Sequence, residues 1–175
     1  MRTTTPKKTM SGLAALLGAM LSGCGGEEPA ALGPEAPAAA PPVALAQDRY
    51  VLTESAFGFD QTLSRLFEAL DRRELTVFAV IDHVAAARSV GADLPPTTVV
   101  VFGDPRGGTP LMAAVPVLGA ELPLRALVFE RDGAVFLAVT GIDNIARTYP
   151  LDEQEQITGA IAEMLGGVSA EVTTP

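Results

Sequence analysis

Apolar positions along this chain change their spacing from segment to segment, and the spacing predicts the elements. Leu63, Leu66, Phe67 and Leu70 recur at intervals of three and four, which lines one side of a helix running to about Arg73, and Asp60 stands where an N-cap acceptor would. Tyr50 to Glu54 reads as a short strand. The β-branched and aromatic run Leu75 to Ile81 reads as a strand buried on at least one face. Val84 to Val90 predicts a short helix capped by Asp82 and ended by Gly91, and Pro95-Pro96 enforces an extended connection into the strand Thr97 to Phe102. After the loop Gly103 to Gly108, Thr109-Pro110 supplies a cap followed by a first-turn proline, and Pro116 ends that helix. Leu124 to Glu130 and Ala134 to Thr140 are predicted strands joined around Asp132-Gly133, a dipeptide that favours a tight hairpin. The last helix is expected from Asp152, with Glu155 completing a capping box, to Gly166-Gly167. This order predicts an α+β fold, a mainly antiparallel sheet with helices packed on one face.

The pattern outside residues 48–167 is different in kind. Arg2, Lys7 and Lys8 precede an apolar run, Ser11 to Leu21, far shorter than the roughly 20 residues a spanning helix needs, so residues 1–23 read as an export signal. The run ends in Leu21-Ser22-Gly23-Cys24, which resembles the bacterial lipobox, whose cysteine is acylated and becomes the mature N-terminus. Cys24 is therefore the expected lipidation site, with the membrane as a partner through that lipid. The resemblance implies the cell envelope as address. Gly25 after the cysteine points to the periplasmic face of the outer membrane if the source is Gram-negative. Residues 24–47 are rich in Ala and Pro without apolar periodicity and read as a linker, reaching from roughly 25 Å as a coil to about 70 Å as a polyproline helix. Residues 168–175 are expected to be a flexible tail.

Charge and composition narrow the chemistry. A formal charge of -9 disfavours nucleic acid, because phosphate contacts need clustered cations. One cysteine and one histidine exclude a disulfide framework and any site built from several such ligands, and no carboxylate loop resembles an EF-hand, so no metal or cofactor is expected. No lysine follows Lys8, which removes Schiff-base chemistry from the exported part, and no Gly-x-Ser-x-Gly elbow occurs.

Several separated motifs carry a family resemblance: Val80-Ile81-Asp82-His83, Ala85-Ala86-Ala87-Arg88, Leu94-Pro95-Pro96-Thr97, the run Val101 to Met112, and Leu122-Pro123-Leu124-Arg125. In this order they resemble the DUF302 family over most of Phe59 to Thr140. The resemblance implies a TBP-like sheet of β-α-β4-α character and a homodimer, and it implies no activity. The chain departs from the family pattern at Asp104, where Asn is usual, and at Phe136, Val139 and Thr140, where the late strand often carries Trp, Tyr and Asn.

Two features offer candidate chemistry. Gly103-Asp104-Pro105-Arg106-Gly107-Gly108-Thr109-Pro110 combines a helix start, two glycines and an arginine, as an oxyanion or carboxylate site requires. Thr109 occupies the place a P-loop gives to lysine, so a nucleotide loop is excluded. Turn chemistry alone accounts for every residue of the loop except Arg106. His83, the single histidine, follows a predicted strand beside Asp82 and could serve as a base, although neighbouring strand residues face opposite ways and Asp82 would not orient it. The leading expectation is non-catalytic binding of a small ligand, an anionic one included, or of a protein partner, with His83, Asp104, Arg106, Gly107, Gly108 and Thr109 as binding residues. One alternative is a hydrolase or other acid-base enzyme using His83 and Arg106 in one cleft. Another is a dimeric structural module.

Overall fold

The computed structural model describes residues 49–175; the expected signal, Cys24 and the linker lie outside them. Five strands form one antiparallel sheet in the order β1-β5-β4-β3-β2, where β1 is Tyr50–Ser55, β2 Thr76–Asp82, β3 Thr97–Gly103, β4 Leu124–Arg131 and β5 Ala134–Thr140. Two long helices, α1 (Phe59–Asp71) and α5 (Glu155–Thr173), pack chiefly against β1, β5 and β4. Three short ones intervene: α2 (His83–Ser89), α3 (Pro105–Ala114) and α4 (Ile142–Thr148). The α+β expectation is met, with β-α-β4-α as its framework.

Burial alternates along the central strands β3 and β4. Along β4, Leu124, Ala126 and Val128 are buried, and so are their partners Phe102, Val100, Val139 and Leu137 on β3 and β5. Together with Leu66 and Leu70 of α1 and Leu165, Val168 and Val172 of α5 they make the core. The alternate residues Val99, Leu127, Phe129 and Phe136 face the other way and are half-buried, with Phe129 and Phe136 stacked at 5.4 Å between ring centres. At the hairpin Asp132 (φ 54°) and Gly133 (φ 80°) both take the left-handed conformation that a type I′ turn demands.

Some expectations are corrected. The strand β2 was expected to be buried on a face, yet all its residues are exposed, including Phe78 and Val80 at 51% each. It is an edge strand pairing only with β3, at the margin of the area the long helices cover. Burial of an apolar run depends on its place in the sheet, which the run does not encode. Asp60 caps nothing; it sits in the first turn of α1 behind the N-cap Gly58. Asp152 and Glu155 form no capping box, since a 3-10 turn, Asp152–Gln154, precedes α5 and no side chain caps it.

The two glycines Gly166-Gly167 do not end α5, and residues 168–173 are not a tail. Val168, Ser169, Val172 and Thr173 are buried, and that burial outweighs the glycine entropy cost of about 1 kcal/mol each. Gly167 also admits the side chain of Arg73, just beyond α1, closely: a Cβ there would stand 3.3 Å from Arg73 Nη2. The C-terminal turn is then clasped by α1. Arg65 Nη2 donates to the carbonyls of Glu171 (2.7 Å) and Thr174 (2.8 Å), which the helix itself leaves unpaired, and its guanidinium lies 4.1 Å from the Phe57 ring centre. Arg73 (2.6 Å) and Arg72 both bind the Glu171 carboxylate, holding it below the usual carboxylate range.

Candidate ligand site

The helix α3 begins earlier than Thr109-Pro110 suggested. Asp104-Pro105 offers the same combination of acceptor and first-turn proline five residues upstream, and the earlier pair prevails: Asp104 is the N-cap and Pro105 the first helical residue. Thr109 and Pro110 lie inside the helix. The Asp104 Oδ1 accepts from the Arg106 backbone N–H at 2.9 Å, and both carboxylate oxygens accept from Arg106 Nε at 3.1 Å. The Asp104 carbonyl accepts from the N–H groups of Gly107 (3.0 Å) and Gly108 (2.9 Å).

Three consecutive donors are thereby used, one by the protein's own carboxylate and two by its carbonyl. The hydrogen bond from the Arg106 side chain, followed by that from its backbone, lowers the Asp104 pKa, and the same contact raises that of the guanidinium. Neither Gly107 nor Gly108 has a positive φ, so their glycine character is not required by backbone angle. A Cβ on Gly107 would meet open space, and one on Gly108 would touch Leu122 and Met112 at ordinary distances.

Beside this helix start lies a cleft of about 300 Å³. Its walls come from four separated segments: Leu75 before β2 and Phe78 within it, α3 with Gly107, Gly108, Thr109 and Met112, Leu122 to Leu124 before and into β4, and Ile161 and Met164 on α5. A shift in the β2–β3 register between Val77 and Ala79 leaves Phe78 without a partner on β3, and its ring packs over Gly103. Asp104 and Thr109 are the only polar side chains in the lining.

Of the expected binding residues, the fold gathers Asp104, Gly107, Gly108 and Thr109 around the cleft and leaves two outside. Arg106 is not in the lining, and its side chain is 75% exposed. His83 opens α2, half-buried, at the other end of β2. The register Thr76↔Gly103 and Asp82↔Thr98 separates it from the α3 start by the length of the strand, about 20 Å. Asp82 does cap α2, accepting from Val84 (2.9 Å) and Ala85 (3.1 Å). His83 and Arg106 therefore share no cleft, and the acid-base pair that the enzyme reading needs is not assembled. The cleft walls Phe78, Leu122 and Ile161 were not among the expected site residues. The sequence does hold one signal: Met112 and Met164 are the only methionines after Met20, and both line the cleft.

A second concavity, lined by Arg49, Glu121, Arg125, Thr140 and Asn144, holds about 20 Å³, room for a single water. Tyr149, the C-cap of α4, a helix the sequence pattern missed, donates to Glu121 there at 3.2 Å, and burial raises its pKa.

An antiparallel sheet covered on one face by its long helices, with an apolar cleft at the end of its third strand, defines a small α+β domain. The chain belongs to the DUF302 family, described as a domain of unknown function, whose model matches residues 51–172. The crystal structure of an uncharacterized conserved DUF302 protein from Bacillus stearothermophilus superposes with a TM-score of 0.64 at 15% identity, over 70% of this chain and 97% of that one, a likeness of fold alone. Proteins named fluoride-specific ion channel FluC 1, from Brucella suis biovar 1 and Brucella abortus biovar 1, are 34% identical over 129 residues. The match takes 73% of this chain and 50% and 47% of theirs, so the chain spans about half the length of the curated relatives it matches. No helix among the described residues is long and apolar enough to cross a membrane.

If Asp104 organises the rim of the cleft as its contacts indicate, Asp104→Ala will lower the melting temperature by several degrees, whereas Asp104→Asn, an equally good cap, will lose little of it. Equal losses in thermal melts would show that capping is not its role.

Proposed function

We propose that this is a lipid-anchored cell-envelope protein whose DUF302 domain binds a small molecule in the α3 cleft without transforming it. The cleft carries the reading. Its size falls at the lower end of ligand sites, its walls are apolar, and the one ionised side chain in them is already paired. A ligand there meets no base or nucleophile with a second group to activate it. The envelope address draws support from the lipobox-like Leu21 to Cys24 and its basic and apolar lead. The Brucella relatives also favour a membrane setting, since the match occupies half of chains named as ion channels.

A second reading adds a homodimer. The edge strand β2 exposes apolar residues on both faces, and the sheet face bearing Val99, Leu127, Phe129 and Phe136 has no long helix on it. Light scattering of the domain should give twice the chain mass, and a strictly monomeric species removes this reading.

For the principal reading, a library of neutral and charged small molecules should contain members that raise the melting temperature of the wild-type domain and not that of Gly108→Leu, whose side chain would occupy the cleft. A library without a stabilising member, or equal shifts in the variant, contradicts it. For the anchor, wild-type protein expressed in a bacterial host should incorporate labelled palmitate and sediment with membranes, and Cys24→Ser should do neither. Unchanged sedimentation and labelling of the variant would sink the anchor.

A further inference from the structure

Resting on the reading of the cleft as a ligand site, we propose its ligand class: a free, uncharged single-chain alkyl compound of about ten heavy atoms, ended by a group that donates a hydrogen bond, in preference to the same chain ended by a carboxylate. Size comes first. At roughly 30 Å³ per water-sized group, about 300 Å³ admits about ten such groups. Wall chemistry comes second. Leu75, Phe78, Leu122, Ile161 and the two methionines offer dispersion contacts and no polar partner, so a polar group placed deep in the cleft would lose its hydration without compensation.

The rim decides the head group. A helix start beside an arginine would ordinarily hold an anion, but here the backbone donors of the first turn are committed and the arginine lies outside the cleft lining. The Arg106 N–H is taken by the Asp104 carboxylate, the Gly107 and Gly108 N–H groups by the Asp104 carbonyl, and Pro105 has no N–H to give. Arg106 is paired to Asp104 through Nε and points outside the cleft wall, with Glu74 as a further negative neighbour. The local balance is two carboxylates against one guanidinium. A ligand carboxylate in the cleft would face net negative charge, with the Thr109 hydroxyl as the one neutral side-chain donor in the lining. The Asp104 carboxylate, with room for about four hydrogen bonds, retains acceptor capacity for a hydroxyl or amide head. Thr109, the other polar side chain of the lining, can both donate and accept.

The absence of tryptophan makes the experiment direct. Phe78→Trp places the chain's sole indole in the cleft wall, and its emission can be titrated with 1-decanol and with decanoate below their aggregation limits. Calorimetry of the unsubstituted domain with the same two probes guards against a disturbance by the new side chain. Decanol should bind roughly three- to tenfold more tightly than decanoate, as one unfavourable charge at partial screening implies. Arg106→Ala should not weaken decanol. Decanoate binding as tightly as decanol or more tightly, with the advantage lost in Arg106→Ala, would overturn the proposal while leaving the cleft a ligand site. Binding of neither probe, or binding of both unchanged by Gly108→Leu, would instead overturn the reading of the cleft itself.

Discussion

At the head of α3 the Asp104 carboxylate accepts from the backbone and the side chain of the same residue, Arg106, while the Asp104 carbonyl closes the next two amides. A helix start carries roughly half a positive charge on its unpaired N–H groups, which is the usual reason such a place attracts anions. Here an internal carboxylate meets that field, and the arginine that could have extended it is drawn off the cleft. The adjacent cavity consequently presents an apolar interior with a rim that is neutral to slightly negative. An Asn at position 104 could cap α3 equally well but would leave Arg106 without its ionic partner. The identity of this one residue therefore bears on what the neighbouring space can hold.

The rest of the fold holds that space open. Part of the lining, Ile161 and Met164, belongs to α5, and α5 is held from its far end, where Arg65, Arg72 and Arg73 of the α1 region grip Glu171 and the last carbonyls. Burial of Leu165, Val168 and Val172 fixes the helix rotation, and that rotation turns Ile161 and Met164 toward the cleft. Another part of the lining depends on β2, an edge strand whose irregular pairing at Phe78 releases that ring from the sheet ladder. The same exposure of β2 that leaves the domain an unpaired edge also gives the cleft its accessible side.

Local signals in the sequence were legible where the chemistry is local. Asp132-Gly133 specified its hairpin, the apolar runs on either side of it were read as the strands β4 and β5, and Asp82 was correctly read as the cap of α2. Where two local signals competed, pattern reading chose wrongly: Asp104-Pro105 and Thr109-Pro110 carry the same signature, and only the fold shows which begins α3. Non-local facts were not legible at all. Gly166-Gly167 reads as a stop because nothing near it reveals that Val168 and Val172 will be buried against α1 and the sheet. The place of β2 at an edge follows from strand order, which no single segment encodes. The cleft likewise assembles from four segments, so the residues expected there were those of the one segment with a recognisable loop, and Arg106, its most conspicuous member, turns away.

Methionine labelling addresses the central claim, that the helix start is already satisfied and the space beside it is apolar and open to uncharged chains. After Met20 the chain has only Met112 and Met164, so a domain beginning beyond the linker carries two labelled methyl groups, both in the cleft. In one NMR experiment on methyl- and amide-labelled domain, decanol should shift both methyl resonances, and inorganic phosphate should leave the Arg106, Gly107 and Gly108 amides in place. Phosphate shifting those amides while decanol leaves both methyl groups unmoved would contradict the account.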